Sequence, residues 1–343
     1  MSRMLAIAAA VAVLAAPAGA RTRLQAKDPS SWAQPQIKLV VARGLMAKSV
    51  QGFRPDDPLT RGALNALVAG LTHRVASGGT QSAAPVTMAQ LDAALVRALD
   101  LSPAASAFAA GARAAGLAPP SRFGAEVVAR LLGLRINHPA NLDSLELLPN
   151  EVATRAEAAY SAAQILSFRG WEAQQVDEVA RAFTLPSLSP WQTRVLKVAV
   201  SYIGFPYVWG GTSPVSESPF GVQAHGGFDC SGFVWRIFKL QPYAGGAALP
   251  ATLKGRTTFA MSGEVASAKR IPSSRLKPAD LLFWGTSGPR SKPAQVDHAG
   301  IYLGGGWFIH SSRYGVALAQ ISGWYKQRFA WARRPLAEAS LGS

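Results

Sequence analysis

The sequence predicts two architectures in one chain: an all-α repeat domain followed by an α+β domain. Three observations carry this expectation. Ala and Leu dominate before about Ser189, whereas most of the Trp, Tyr and Gly lie after it. Three threonine-initiated amphipathic runs recur in the first part. Short β-like runs separated by glycine turns gather in the second. With 343 residues and 49% hydrophobic content, the chain is long enough for about two domains and can bury real cores. Charged residues are 16% and the formal net charge is +16. That excludes a mostly disordered chain and favours an anionic partner: nucleic acid, acidic lipid or cell-wall polymer. Basic residues outnumber acidic ones by 17 to 6 from Ser189 onward, and by 18 to 13 before it.

Residues 1–20 read as a secretory signal peptide. Arg3 supplies a positive n-region, Leu5 to Ala16 is a short apolar run, and Ala18-Gly19-Ala20 suits a cleavage site. The run is too short to span a bilayer. The mature chain is expected to begin near Arg21, to be secreted or wall-associated, and to hold no integral membrane segment. An exported chain weighs against nucleic acid as partner.

Three segments align in the first part, at Pro58-Leu59-Thr60-Arg61, Pro85-Val86-Thr87-Met88 and Val152-Ala153-Thr154-Arg155. Each threonine is an expected N-cap, and Gln90 and Glu157 are placed to complete capping boxes. Helical units that cannot bury a face alone imply a small stacked domain. The stretch Gly52-Phe53-Arg54-Pro55-Asp56-Asp57-Pro58-Leu59-Thr60-Arg61 resembles the S-layer homology motif, and Leu148-Pro149-Asn150 before Thr154-Arg155 resembles a degenerate copy. The resemblance runs over 37–167 and implies attachment to wall polymers. A helical spacer with good caps is the alternative.

Residues 183–190 read as a linker. Ser189-Pro190 then opens a helix, which Gly204-Phe205-Pro206 ends. A second helix follows Asp229. Residues 280–284, 299–303 and 307–310 read as strands, with Gly304-Gly305-Gly306 as a hairpin turn.

Cys230 is the lone cysteine, so no intramolecular disulfide is possible. It opens a helix after a glycine-rich loop, where the helix dipole favours a thiolate. His298 and His310 flank the hairpin. A three-residue turn centred on Gly304 would set them opposite each other, and other turn lengths leave them within a residue or so, which suits a base and a residue that orients its ring. Helix dipole and imidazolium should lower the thiol pKa, and the thiolate should raise that of histidine. Asp229 is expected to cap the helix or face the cleft. His73 and His138 read as surface residues, and His225 lies in the loop before Cys230. No short-spaced Cys or His pair exists, so no metal site is expected.

The second part resembles the NlpC family of bacterial cell-wall cysteine peptidases. The motifs are Pro206-Tyr207-Val208-Trp209-Gly210-Gly211, Phe228-Asp229-Cys230-Ser231-Gly232, Asp280-Leu281-Leu282-Phe283, His298-Ala299-Gly300-Ile301-Tyr302-Leu303-Gly304 and Ile309-His310. The resemblance covers 190–335 and implies a papain-like domain, a Cys-bearing helix on an antiparallel sheet bearing the histidines. It implies Cys230 as nucleophile, His298 as base and His310 as third polar residue. It also implies substrate contacts from Tyr207, Asp229 and Ser231, peptidoglycan as partner and no cofactor. Hydrolysis of peptidoglycan stem peptides, after γ-D-glutamate, is the implied reaction. A non-catalytic wall-binding protein is the alternative, as is an amidase or acyl transferase on the same fold. The sequence departs from the family at Ala279, where glycine is usual, and in long loops at 212–227 and 286–296. Because every implied catalytic residue follows Ser189, hydrolysis of small soluble peptides is expected to be independent of 37–167.

Overall fold

The computed structural model describes residues 31–75, 79–219 and 221–342. The expected signal peptide lies outside the described residues. The first part is all-helical: α1 (Gln34–Ala42), α2 (Arg61–Thr72), α3 (Met88–Ala98), α4 (Ser102–Ala114), α5 (Phe123–Leu131), α6 (Arg155–Ser167) and α7 (Trp171–Arg181). The threonines start the helices as their hydroxyls dictate. Thr60, Thr87 and Thr154 accept the backbone N–H of Ala63, Gln90 and Glu157.

The weak internal repeat has a physical counterpart. Leu59 N–H donates to Ala153 O at 2.7 Å, Ala153 N–H to Val86 O at 2.8 Å, and Val86 N–H to Leu59 O at 2.9 Å. The residue before each N-cap threonine thus hydrogen-bonds the equivalent residue of the next repeat, closing a three-membered ring. All three side chains are fully buried. Gln90 completes a capping box with Thr87. Glu157 does not: its carboxylate turns into a buried ionic cluster instead.

That cluster joins α3, α5 and α6 with the segment between α5 and α6. Arg130 pairs with Glu126 at 2.5 Å and lies 3.6 Å from Asp92. Arg135 lies 3.8 Å from Asp92 and 4.0 Å from Glu157. His138 pairs with Glu146 at 3.1 Å and lies 3.7 Å from Glu157. The expectation of a surface His138 is therefore corrected. Its ring is buried because two buried carboxylates hold it, and its pKa is raised by those partners against the opposing burial penalty. No periodicity of the chain signals such a site, since its members are scattered over 66 positions.

The second part opens with α8 (Pro190–Ser201), capped by Ser189 and a Gln192 capping box. Two short ladders follow, β1 (Thr212–Ser213) with β4 (Gly227–Phe228) and β2 (Glu217–Ser218) with β3 (Gly221–Val222). Next come α9 (Cys230–Trp235) and α10 (Thr258–Gly263). The main sheet holds β5 (Leu281–Gly285), β6 (Val296–Gly304), β7 (Trp307–Ser312), β8 (Gly315–Gln320) and β9 (Phe329–Arg333). It is antiparallel in the order β8-β7-β6-β5-β9. Helices α11 (Gly323–Arg328) and α12 (Pro335–Glu338) flank β9. The expected helix on antiparallel sheet is therefore present, behind the expected helical region. Alternation along the strands puts Phe283, Ile301 and Ile309 into the core with Phe233 and Val234 of α9. Leu282, Trp284 and Phe308 form a second cluster with Tyr325. Ala279 stands at φ +68°, the left-handed region that the usual glycine enters freely.

The two parts are packed together, and residues 32–343 form one compact unit. Phe183, in the segment where composition changes, packs between Phe108 and Trp307 with ring centroids 5.0 and 5.1 Å away. Arg122 donates to Ser201 O at 2.7 Å, and Arg130 to Gly204 O at 2.7 Å. Residues 37–167 thus supply part of the support beneath 199–207. This runs against the expectation that hydrolysis would be indifferent to their loss.

Candidate active site

The site is built where α9 meets the sheet. Asp229 caps α9, accepting Gly232 N–H at 2.5 Å. Gly232 is needed for the close approach of the helix: a Cβ there would stand 1.9 Å from Gly211 O. Asp229 also accepts Gly210 N–H at 2.9 Å and the Ser231 hydroxyl at 2.9 Å. Cap, glycine and carboxylate together fix Cys230 at the first helical position. The Cys230 thiol is almost fully buried and faces the backbone N–H groups of Ala299 and Ser231.

His298 and His310 are brought together. His298 Nε2 lies 2.7 Å from His310 Nδ1. The hairpin register differs from the expected one. Ile301 faces Ile309 and Tyr302 faces Phe308, with an irregularity before Gly304. Continued to the strand ends, that register places His310 across from Gly300. The two histidines are therefore a diagonal pair on one face. The reason is the turn: Gly304, Gly305 and Gly306 all take positive φ, and the bulge adds a residue on β6. Trp284 stacks 5.5 Å from His298, and Tyr325 lies 5.4 Å from His310.

Among the described residues no hydrogen bond joins the Cys230 thiol to either imidazole. The thiol instead lies beside the peptide N–H that links His298 to Ala299. Burial, and next the Asp229 carboxylate, push the thiol up to about 12. Burial pushes His298 down to about 4 and His310 well below the usual histidine range. These directions are opposite to those expected from the helix dipole. A short helix end cannot offset the loss of water around a buried thiolate beside a carboxylate. Both shifts favour a neutral thiol and a neutral imidazole in the free protein.

Tyr207 stands within electrostatic range of Cys230 and Asp229, and its phenol is pushed upward, mainly by burial. Ser231 is buried next to Asp229. Three contributors escaped the sequence reading. Arg256 pairs with Asp229 at 3.1 Å and donates to the Ser231 hydroxyl at 2.6 Å. It also reaches the Gly210 and Gly211 carbonyls. Tyr325 and Trp284 wall the histidines. None of the three belongs to a local motif. Among the described residues no group of three or more His, Cys, Asp or Glu is placed to hold a metal ion.

Comparison with known proteins bears out the resemblances. Residues 204–334 match the NlpC/P60 family, and residues 26–64 match the S-layer homology domain. The gamma-D-glutamyl-L-lysine dipeptidyl-peptidase of Bacillus subtilis (strain 168) is 33% identical over 125 residues, 36% of this chain and 33% of that protein. The probable peptidoglycan endopeptidase LytE of the same organism is 33% identical over 145 residues, 41% of this chain and 34% of that protein. The murein DD-endopeptidase MepH of Escherichia coli (strain K12) is 35% identical over 142 residues, 40% of this chain and 44% of that protein. The chain thus spans a third to under half the length of these curated relatives. The crystal structure of an NlpC/P60 family protein from Bacillus cereus ATCC 10987 is 23% identical with a TM-score of 0.32. It covers 45% of this chain and 43% of that one.

Proposed function

We propose that this protein is an exported cysteine endopeptidase that hydrolyses stem-peptide amide bonds of peptidoglycan. The observation that carries the reading is the fixed Cys230 at the start of α9 beside the hydrogen-bonded His298–His310 pair. It lies inside the stretch matched by the NlpC/P60 family.

The chemistry follows from the atoms left available. His298 Nε2 is engaged by His310 Nδ1, so Nδ1 of His298 is the atom that takes a proton. The neutral pair then has His298 protonated on Nε2, donating to His310. Substrate entry brings a carbonyl carbon to the thiol. The Cys230 proton passes to His298 Nδ1 as sulfur bonds to that carbon. The backbone N–H groups of the first turn of α9 hold the developing oxyanion. His298 then gives its proton to the leaving amine, and the C–N bond breaks. Water, deprotonated by His298, releases the acyl group and restores the thiol. His310 holds the ring and its tautomer throughout. Tyr207, Asp229 and Ser231 line the cleft, and Arg256 holds the Asp229–Ser231 pair.

The S-layer homology match and the net charge of +16 support retention at a wall carrying anionic polymers. In this reading 1–20 is the signal peptide, 37–167 the wall-binding part and 190–335 the peptidase, with 183–190 joining them. Among the described residues no single helix is long and apolar enough to cross a membrane. A γ-D-glutamyl bond is the proposed target. The test is digestion of purified peptidoglycan by the wild type and by Cys230→Ala, with mass spectrometry of the fragments. Cleavage after γ-D-glutamate that Cys230→Ala abolishes supports the reading. Fragments cut elsewhere would reassign the bond, and unchanged release by Cys230→Ala would remove the mechanism.

A second reading is a non-catalytic wall-binding protein, which the S-layer homology match at 26–64 supports. Wall co-sedimentation without fragment release by the wild type would establish it.

A further inference from the structure

We infer that Asn137, carried by the helical part, is a positioning residue for the cleft. It holds the loop that carries Tyr207, between α8 and β1, and through that loop the substrate. The inference rests on the peptidase reading above.

The clamp is two-sided. Asn137 Oδ1 accepts Tyr207 N–H at 3.1 Å, and Asn137 Nδ2 donates to Tyr207 O. Both polar groups of the Tyr207 backbone are thus held by one side chain 70 positions away in sequence. Asn137 is itself anchored on the other side of the site. Its backbone N–H donates to Arg313 O at 2.7 Å, in the turn that follows His310 and β7. One residue therefore spans from the Tyr207 loop to the hairpin that bears His310.

The orientation of the amide is fixed by its neighbours. Asn137 Nδ2 also donates to Glu146 Oε1 at 2.9 Å. The same oxygen accepts His138 N–H at 2.5 Å and lies 3.1 Å from His138 Nδ1. A flipped amide would place its oxygen against a carboxylate and a carbonyl, with its NH2 against the Tyr207 N–H. Every partner excludes that arrangement. The buried Glu146–His138 pair thus dictates which way Asn137 points, and Asn137 dictates where Tyr207 stands. Two further contacts follow the same line between the parts. The Asp143 carboxylate accepts the Trp209 backbone N–H, and His225 bridges Glu151 at 2.8 Å and Ser144 O at 3.1 Å. Asn137 is the member that grips Tyr207, which stands within electrostatic range of the thiol.

Asparagine is the residue this geometry requires, because it must accept once and donate twice. Alanine removes all three bonds. Aspartate keeps the acceptor for Tyr207 N–H, but meets Tyr207 O and Glu146 with a carboxylate. Its penalty should therefore grow with pH as that carboxyl ionises beside Glu146.

The test uses the full mature chain as wild type, Asn137→Ala and Asn137→Asp. It combines hydrogen exchange with kcat and KM on a soluble stem peptide from pH 5 to 8. For Asn137→Ala we expect faster exchange in 204–211, unchanged protection of β5, and a KM raised about tenfold with kcat changed less than threefold. For Asn137→Asp we expect a KM ratio to wild type that rises from pH 5 to pH 8. If Asn137→Ala fails to fold, the pH trend in Asn137→Asp decides. Unchanged exchange in 204–211 overturns the inference. So does faster exchange with unaltered KM, or a loss in kcat that only tracks the folded fraction. A wild type inert on every stem peptide would sink the peptidase reading instead, and the exchange arm would then decide the clamp by itself.

Discussion

Asp92 offers a quantitative test of the buried ionic cluster. Its carboxyl is fully buried, and burial followed by the Glu126 charge raises its pKa from 3.8 to about 7. Four carboxyls, Asp92, Glu126, Glu146 and Glu157, face three cations, Arg130, Arg135 and His138. One carboxyl is in excess, and a proton held between Asp92 and Glu126 removes that excess. Both oxygens of Asp92 and one of Glu126 lack any other hydrogen-bond partner among the described residues, which such a proton would supply. Because the folded value is raised, the native state binds more protons than the unfolded chain between about pH 4 and pH 7. Stability from this group is complete below pH 4 and is lost as pH rises through 7. Holding an ionised Asp92 above that range costs on the order of 2–4 kcal/mol. Asp92→Asn keeps the shape and can donate to Glu126 without a titrating proton. Urea unfolding followed by circular dichroism should show near-equal stability at pH 4.5 and a more stable variant at pH 8.5, by about 2–4 kcal/mol. A variant less stable than wild type at pH 8.5 would refute the reasoning, because Asp92 would then be an ionised counter-ion of Arg130 and Arg135.

Three other outcomes are expected. Gly232→Ala should cost more than about 3 kcal/mol or prevent folding, since its Cβ would overlap Gly211 O, and a thermal melt measures it. Alkylation of Cys230 by iodoacetamide in the free protein should climb about tenfold per pH unit from 7 to 9, as a thiol pushed up to about 12 requires; a plateau below pH 7 would indicate a resting ion pair. Deleting 37–167 should abolish the cooperative thermal transition of the remainder and reduce hydrolysis of soluble stem peptides at least tenfold, because Arg122, Arg130 and Asn137 hold residues 201–207.

Local chemistry made much of this molecule readable. Thr60, Thr87, Thr154, Ser189 and Asp229 cap helices because a short side-chain oxygen before an amphipathic run has few other uses. Strands β5, β6 and β7 follow from apolar runs bounded by turns. β8 and β9 are as long as β7 and β5, but β8 follows a glycine turn and β9 runs into a cluster of arginines, and neither carries a motif. Cys230, His298 and His310 were legible from motif and hairpin, but the register was not, because a bulge is decided by packing around the turn. The sign of the pKa changes was missed because burial belongs to the folded whole, while the helix dipole is visible in the local sequence. Arg256, Asn137 and the ionic cluster join residues far apart in the chain, and no periodicity reports them.

In the proposed reaction Cys230 carries the acyl group between attack and release. The direct measurement is acid quenching of wild type mixed with a stem peptide, followed by proteolysis and mass spectrometry of the fragment containing Cys230. A thioester adduct on Cys230 with the mass of the acyl half of the substrate is expected during turnover, and none in Cys230→Ser. The adduct should be lost in His298→Ala, because that variant has no acceptor for the Cys230 proton. Rapid turnover by the wild type with Cys230 never modified, and matched by Cys230→Ala, would contradict the account.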